Sequence, residues 1–380
     1  MGIHMTAIGT ATPSNHVTQK DAYENAKAYL HSDKRERYLK VLYSRSAIDS
    51  RATILRTPSQ IAQNASSVLS ASKGRNSALE LAYLPLPHSS DDCGPSTAKR
   101  MQLYEREISK LATAACSDLL SKFSVHTQQL KESIESIVTV SCTGFSAPGF
   151  DIGLIKELAL SQSVQRHHIG FMGCHGAING LRVASALAST RPDRRVLLCA
   201  AEICSIHFQY GDNTDDFLAN CLFADGAAAA LISGHEDSQT SWTVRSFGSY
   251  LIPETEELMS WKIRDNGFVM TISPHVAEVI REQLYDWLTL WLSQQNLSIS
   301  SIQGWAVHPG GPRIVSSVEQ ALDLDKGKLE ASRKILRLHG NMSSPTVLFI
   351  LEQIMRTQGR VPTVVLSFGP GLTIEAMLLS

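Results

Sequence analysis

Neither sign of charge is in excess in this chain: its 380 residues carry 35 lysines and arginines against 36 aspartates and glutamates. Such a balance provides no overall field for nucleic acid or an anionic membrane, and leaves room only for a local basic patch. Apolar runs of about 18 residues, the length needed to span a bilayer, are missing. The opening Met-Gly-Ile-His-Met-Thr-Ala-Ile-Gly-Thr lacks the basic start and apolar stretch of a secretion signal. The seven cysteines (Cys93, Cys116, Cys142, Cys174, Cys199, Cys204, Cys221) form no CxxC pair and no zinc spacing. These absences predict a cytoplasmic protein with reduced cysteines, no metal, no nucleic-acid partner and no membrane span. Most of the cysteines are then small buried apolar residues, with one available for chemistry.

What is present is an ordinary globular composition, 43% hydrophobic and 19% charged. The length suits two packed domains or one large duplicated α/β body. Residues 6–11 read as a first strand, and the stretch from Thr18 to Val41 as polar and helical. Residues 83–96, rich in Pro, Ser, Asp and Gly, form the plainest loop, followed by a helix over 97–124. Apolar strand-like runs at 137–141, 196–201, 305–308 and 364–368 then alternate with helical stretches, which predicts an α/β fold with buried strands. Three features recur in order, each about 167 residues later. Val-Ser-Cys-Thr-Gly (140–144) is echoed by Ala-Val-His-Pro-Gly (306–310), Gly173-Cys174 by Gly340-Asn341, and Val-Leu-Leu-Cys (196–199) by Val-Val-Leu-Ser (364–367). The recurrence predicts two similar halves, 1–235 and 236–380.

Cys174 follows a glycine where an apolar helix is expected to begin, at about His175. A thiol there sits over unpaired backbone N–H groups, whose partial positive charge favours the thiolate. His308 ends an apolar strand and precedes Pro-Gly-Gly-Pro, and chemistry in α/β sheets concentrates at strand ends. Asn341 precedes another apolar helix, where its default role is an N-cap. Each alone has a structural explanation. Together, Cys, His and Asn are the set needed to hold a thiolate–imidazolium pair and donate hydrogen bonds to a developing oxyanion. The glycine-rich turns 309–312 and 368–372 leave backbone uncovered for a ligand arm.

At these residues the chain resembles the type III polyketide synthases, the chalcone and stilbene synthase family, in a bacterial-like form. The matching runs are Ser-Cys-Thr-Gly-Phe-Ser-Ala-Pro-Gly-Phe-Asp (141–151), Gly-Cys-His-Gly-Ala (173–177), Leu-Phe-Ala-Asp-Gly-Ala-Ala-Ala (222–229), Trp-Ala-Val-His-Pro-Gly-Gly-Pro (305–312), Gly-Asn-Met-Ser-Ser (340–344) and Phe-Gly-Pro-Gly-Leu-Thr-Ile-Glu (368–375). The N-terminal third matches only loosely. The resemblance implies a thiolase-type fold, two duplicated α/β halves in five αβαβα layers, and a homodimer. Cys174 would accept an acyl group from coenzyme A. His308 would keep it ionised and, with Asn341, bind the thioester carbonyl while malonyl-CoA loses carbon dioxide. The enolate would attack the acyl-cysteine, and the product would cyclise to a pyrone, resorcinol or phloroglucinol type.

By the same resemblance Phe223 orients malonyl and shields the site, Cys142 and Thr143 are pocket walls, and Ala147 reaches toward the partner's cavity. Ala224, replacing a common glycine, would push a methyl toward the cavity, and Ser343 would influence product length. His207 stands at a position that is commonly Thr, either narrowing the starter pocket or hydrogen-bonding a polyketide carbonyl. His175, beside the nucleophile, is assigned to packing or capping. Arg45 and Arg51 match a basic stretch for the phosphates of coenzyme A, and Gly310 and Gly311 would border its arm. No cofactor is expected beyond coenzyme A thioesters as substrates, with acyl carrier protein a further candidate donor. The alternatives are a single-condensation β-ketoacyl synthase III-like enzyme and a non-catalytic acyl-binding paralogue.

Overall fold

The computed structural model describes residues 2–56, 83–89, 91–123, 127–235, 242–357 and 361–380. In the first half, β1 (Ile3–Ala11), β2 (His16–Thr18), α1 (Gln19–Lys27), α2 (Glu36–Arg45) and β3 (Ser50–Ala52) precede α3 (Thr97–Ser121) and α4 (Thr127–Ser133). Then come β4 (Ile134–Ser141), α5 (Phe150–Glu157), β5 (Gln165–Gly170), α6 (Gly176–Thr190), β6 (Arg195–Ile203), α7 (Thr214–Leu222) and β7 (Asp225–Ser233). The second half contains β8 (Trp242–Leu251), β9 (Met259–Arg264), β10 (Gly267–Ile272), α8 (Val276–Ser293) and β11 (Gly304–Val307). It ends with α9 (Pro312–Leu322), α10 (Glu330–His339), α11 (Thr346–Thr357), β12 (Thr363–Gly369) and β13 (Thr373–Leu379). The boundary drawn at 235/236 meets residues 236–241, which lie outside the described set.

The expected polar helix over 18–41 is two helices. Thr18 caps the first, its hydroxyl accepting from Asp21 N–H at 3.1 Å. The chain then breaks where the Asp212 carboxylate captures the backbone N–H groups of His31 and Ser32. The strands occur where apolar runs predict them.

Strand order is β11-β12-β13-β8-β1-β7-β6-β4-β5. In the first half β4 and β6 are parallel, and β6–β7 and β7–β1 antiparallel. In the second half β11 and β12 are parallel, and β12–β13 and β13–β8 antiparallel. This repeated pairing is the duplication seen in the sequence, with β4 matching β11 and β6 matching β12. β5 is an extra edge strand in the first half. Hydrogen bonding joins the two sheets at β1–β8 through Ile3–Met5, so the two sheet layers are one continuous ladder.

Side-chain alternation along the buried strands produces the layers. Val196, Leu198 and Ala200 of β6 face a central core with α6 and α11, while Leu197, Cys199 and Ala201 face α3 and α5. In β12, Val365 faces that same central core, and Val364 and Leu366 face α8 and α9. Helices therefore cover both outer faces and fill the space between the sheets, giving five layers. The fit is close: a Cβ on Gly9 of β1 would lie 2.2 Å from the backbone of Leu119 in α3. No described helix is long and apolar enough to cross a membrane.

Candidate active site

Cys174 lies on a 3₁₀ turn, Gly173–His175, immediately before α6. Gly173 has φ +78°, and a Cβ there would meet the Pro370 ring at 2.6 Å, so the turn needs glycine. The Ser367 hydroxyl donates to the Cys174 carbonyl at 2.9 Å, pinning the turn to β12. The thiol is 6% exposed. Burial pushes it up to about 11; hydrogen bonds from the side chains of Ser343 and Asn341 pull the other way, and buried Glu202 adds to the rise. The expected lowering by the helix start is outweighed, because the thiol stands in a dry turn ahead of the helix and beside a carboxyl group.

His308 follows β11 and its N–H donates to Leu366 O at 2.8 Å. The ring is 1% exposed, and neither nitrogen has a hydrogen-bond partner among the described residues. Burial, then the nearby charge of His175, pushes it down to about 3. Asn341 is no N-cap, since α11 starts only at Thr346. It is held instead by a parallel bridge to Phe223, with Asn341 N–H donating to Leu222 O at 2.9 Å and Ala224 N–H to Asn341 O at 2.8 Å. Its Oδ1 accepts from Ser343 N–H at 2.8 Å, and its Nδ2 donates to Gly310 O at 3.4 Å. Asn341 thus links the thiol to the loop two residues beyond His308.

A cavity opens against this cluster at Gly173, Phe223 and Ser343, and Cys142, Thr143, His207 and Arg51 also line it. Other predicted residues lie elsewhere. Ala224 packs in the central core, its methyl turned from the cavity because it alternates with Phe223. Ala147 is exposed in a small separate pocket with Glu105 and Ser109. Arg45 is exposed at the end of α2. Gly310 and Gly311 lie in the loop between His308 and α9, outside the cavity wall.

Two sequence profiles match this chain: chalcone and stilbene synthases, N-terminal domain, over residues 80–236, and their C-terminal domain over 244–380. A putative chalcone synthase of Bacillus subtilis is 30% identical over 298 residues, covering 76% of this chain and 82% of that protein. The chain belongs to the chalcone and stilbene synthase family. The alpha-pyrone synthesis polyketide synthase-like Pks18 of Mycobacterium tuberculosis is 29% identical over 383 residues, covering 98% of this chain and 89% of the relative. The crystal structure of PKS-I from the brown alga Ectocarpus siliculosus superposes with a TM-score of 0.86 at 27% identity, covering 100% of this chain and 98% of the other. The protein is therefore a type III polyketide synthase, an acyltransferase.

In this synthase the His207 ring is fully committed. Phe268 N–H donates to its Nδ1 at 3.0 Å, so the ring proton is on Nε2, which donates to Thr143 O at 2.7 Å. The ring stacks on Phe268 at 4.2 Å and burial pushes it down to about 3. Of the two readings open for His207, this geometry selects the wall: no polar atom remains for a polyketide carbonyl. Buried Arg100 donates to the carbonyls on either side, Ile206 and Phe208, fixing the turn that carries the ring. Trp261 and Phe268, on the β9–β10 hairpin, complete this wall, with Trp261 Nε1–H donating to Cys142 O at 2.8 Å. His175 faces away; its Nδ1 pairs with Asn179 Oδ1 at 2.7 Å and its ring lies over Gly369, where a Cβ would intrude at 2.2 Å. That is a packing role.

Arg51 is buried, donates to Phe223 O at 2.6 Å and lies over the Tyr43 ring. It braces the backbone of Phe223.

Sequence reasoning missed Glu202, which is fully buried at the end of β6. Its Oε2 accepts from Cys142 N–H (2.9 Å), Thr143 N–H (3.1 Å), the Thr143 hydroxyl (2.8 Å) and the Ser141 hydroxyl (3.3 Å), and its Oε1 from the Ser344 hydroxyl (2.6 Å). Burial raises its pKa against these bonds. The carboxyl ties the end of β4 to the 341–344 segment, the two pieces that flank Cys174. The signal was available: a lone acidic residue in the apolar run Leu-Leu-Cys-Ala-Ala-Glu-Ile-Cys. Glu202→Ala strands these buried donors, each worth roughly 1–3 kcal/mol when unpaired, and should lower stability by at least about 3 kcal/mol. Glu202→Gln, which keeps an acceptor toward Cys142 and Thr143 and a donor toward Ser344, should cost far less. Equal denaturant midpoints for the two variants would contradict the network.

Proposed function

We propose that Cys174 takes an acyl group from a coenzyme A starter and holds it while malonyl-CoA is decarboxylated and condensed onto it. The observation that carries this reading is His308: a buried imidazole with both nitrogens unpaired among the described residues, next to the loop that Asn341 joins to a buried thiol. Burial favours the uncharged forms of both groups. His308 therefore takes the thiol proton as sulfur attacks the thioester carbonyl, and coenzyme A leaves as its thiol. In the extension step the same imidazole and the Asn341 amide donate toward the malonyl thioester oxygen as carbon dioxide departs. The enolate carbon then displaces the Cys174 sulfur, and the lengthened chain leaves on coenzyme A for another round. Phe223, half-buried against the triad, keeps water from protonating the enolate.

No bound cofactor is needed, and the synthase acts in the cytoplasm as a homodimer. The exposed position of Ala147, with Phe145 beside it at 42% exposure, supports that face as the partner contact. Arg51 acts on coenzyme A only indirectly, through the backbone of Phe223. Incubation with a starter acyl-CoA and either malonyl-CoA or malonyl carrier protein tests the reading. Products with two or more extensions from malonyl-CoA are expected. A single β-ketoacyl product, made only from the carrier-protein donor, would place the protein with the β-ketoacyl synthases instead.

A further inference from the structure

Phe268, in the cavity wall, is buried among four other rings. Two of them share the wall with it: His207 stacks on it at 4.2 Å, and Trp261 meets it edge-on at 5.7 Å. The other two, Phe171 at 5.8 Å and Phe145 at 6.3 Å, do not line the cavity and so back the wall from behind. They pack on each other at 5.5 Å, and a Cβ on Gly170 would meet the Phe145 ring at 2.9 Å. Phe171 is half-buried, and Phe145 is 42% exposed. Two layers of rings therefore separate the cavity from the outside at this point. The inner layer is tied to the backbone, Phe268 N–H to the His207 ring and the Trp261 indole to Cys142 O. The outer pair, having no polar side-chain atoms, hold it by ring packing.

Phe171 has φ +61°, a conformation that a bulky side chain rarely adopts. Such residues persist where packing over-determines them, and they gather at functional sites. Here the backbone does part of the holding, with Phe171 N–H donating to Ser141 O at 3.2 Å where β4 ends. The rings of Phe145 and Phe268 do the rest. Two residues further on is Gly173, whose N–H donates to the Cys142 sulfur at 3.0 Å. Phe171 thus stands between β5 and the Cys174 turn, with its ring behind the wall that flanks this cysteine. Taking the ring away leaves a void into which Phe268 can relax, away from the cavity.

We propose that Phe171 is a positioning residue for chain extension: its ring, acting through Phe268, limits how many malonyl units the acyl-enzyme takes. The inference rests on the reading of Cys174 as the acyl carrier. Starters from butanoyl-CoA to dodecanoyl-CoA, each with malonyl-CoA, are given to wild type, Phe171→Gly, Phe171→Leu, Phe268→Ala and the Phe171→Gly/Phe268→Ala double variant. Products are weighed, and each is expressed as a ratio to the product one malonyl unit shorter. A ratio taken within one incubation does not depend on how much of the protein is folded. In Phe171→Gly, which keeps the positive φ, the longer-over-shorter ratio should rise on the order of tenfold, the worth of burying roughly two more carbons. Phe171→Leu, a smaller truncation, should move it the same way and less. Phe268→Ala should raise it as well. Adding Phe171→Gly to Phe268→Ala should change it no further, because the two side chains act as one wall. A ratio unchanged in Phe171→Gly, or raised by the same factor with and without the Phe268 ring, overturns the proposal. If wild type itself extends none of these starters, the failure lies in the proposed function instead.

Discussion

Purified Cys174→Ala protein is expected to form no polyketide from acyl-CoA and malonyl-CoA, a loss on the order of 10⁴-fold or more. The size follows from the role proposed for the side chain. Without sulfur there is no acyl-enzyme, and the condensing carbon has no electrophile held beside it. Removing the sulfur frees the side chains of Ser343 and Asn341 from the thiol, while the turn stays pinned through its backbone by Ser367. The variant should therefore fold and unfold much as wild type does. Product formation is read by mass spectrometry, beside a thermal melt. Condensation retained at a tenth of the wild-type rate would remove Cys174 from the mechanism.

The second large effect is expected at His308. Burial, against hydrogen bonds from Ser343 and Asn341 and with Glu202 adding to it, holds the Cys174 thiol at about 11, so without a base the thiolate fraction at pH 7 is about 10⁻⁴. His308 is held neutral by burial and then by His175, which leaves a ring nitrogen lone pair free to take the thiol proton as sulfur attacks. His308→Gln keeps the polar volume and removes the base. Alkylation of Cys174 by iodoacetamide at pH 7 should then fall on the order of 10²-fold. In the variant the rate should climb about tenfold per pH unit from 7 to 10, because the thiolate of a raised thiol grows only as pH approaches its pKa. Wild type should show a much flatter profile. Superimposable profiles would mean that His308 does not act on Cys174.

The residues proposed to carry the chemistry stand out because they sit in short runs: Gly-Cys-His-Gly, Val-His-Pro-Gly and Gly-Asn-Met-Ser-Ser. The duplication was legible from strand ends recurring about 167 residues apart, and the repeated pairing of β4–β6–β7 in β11–β12–β13 is its physical form. Less legible was what burial does. A helix start lowers a thiol when solvent or a cation shares the site; Cys174 has a dry turn and a carboxyl group instead. Asn341 read as a cap because its run precedes an apolar helix, yet the helix begins five residues later and the bridge to Phe223 claims its backbone. Ala224 could have been placed from the sequence alone, since a residue beside an inward-facing Phe223 turns the other way. The Trp261 and Phe268 wall could not, because a hairpin far along the chain folds back over Cys142 and His207. Glu202 lay between: one acidic residue in a buried strand asks for partners, but only the fold shows that they are the segments flanking the nucleophile.

The most direct measurement is the mass of the intact protein after brief exposure to a starter acyl-CoA without malonyl-CoA, followed by peptide mapping. One acyl group per chain, on the peptide containing Cys174 and discharged when malonyl-CoA is added, is the predicted result. An unmodified protein that still makes product, or an acyl group that maps to another cysteine and discharges as readily, would contradict the account.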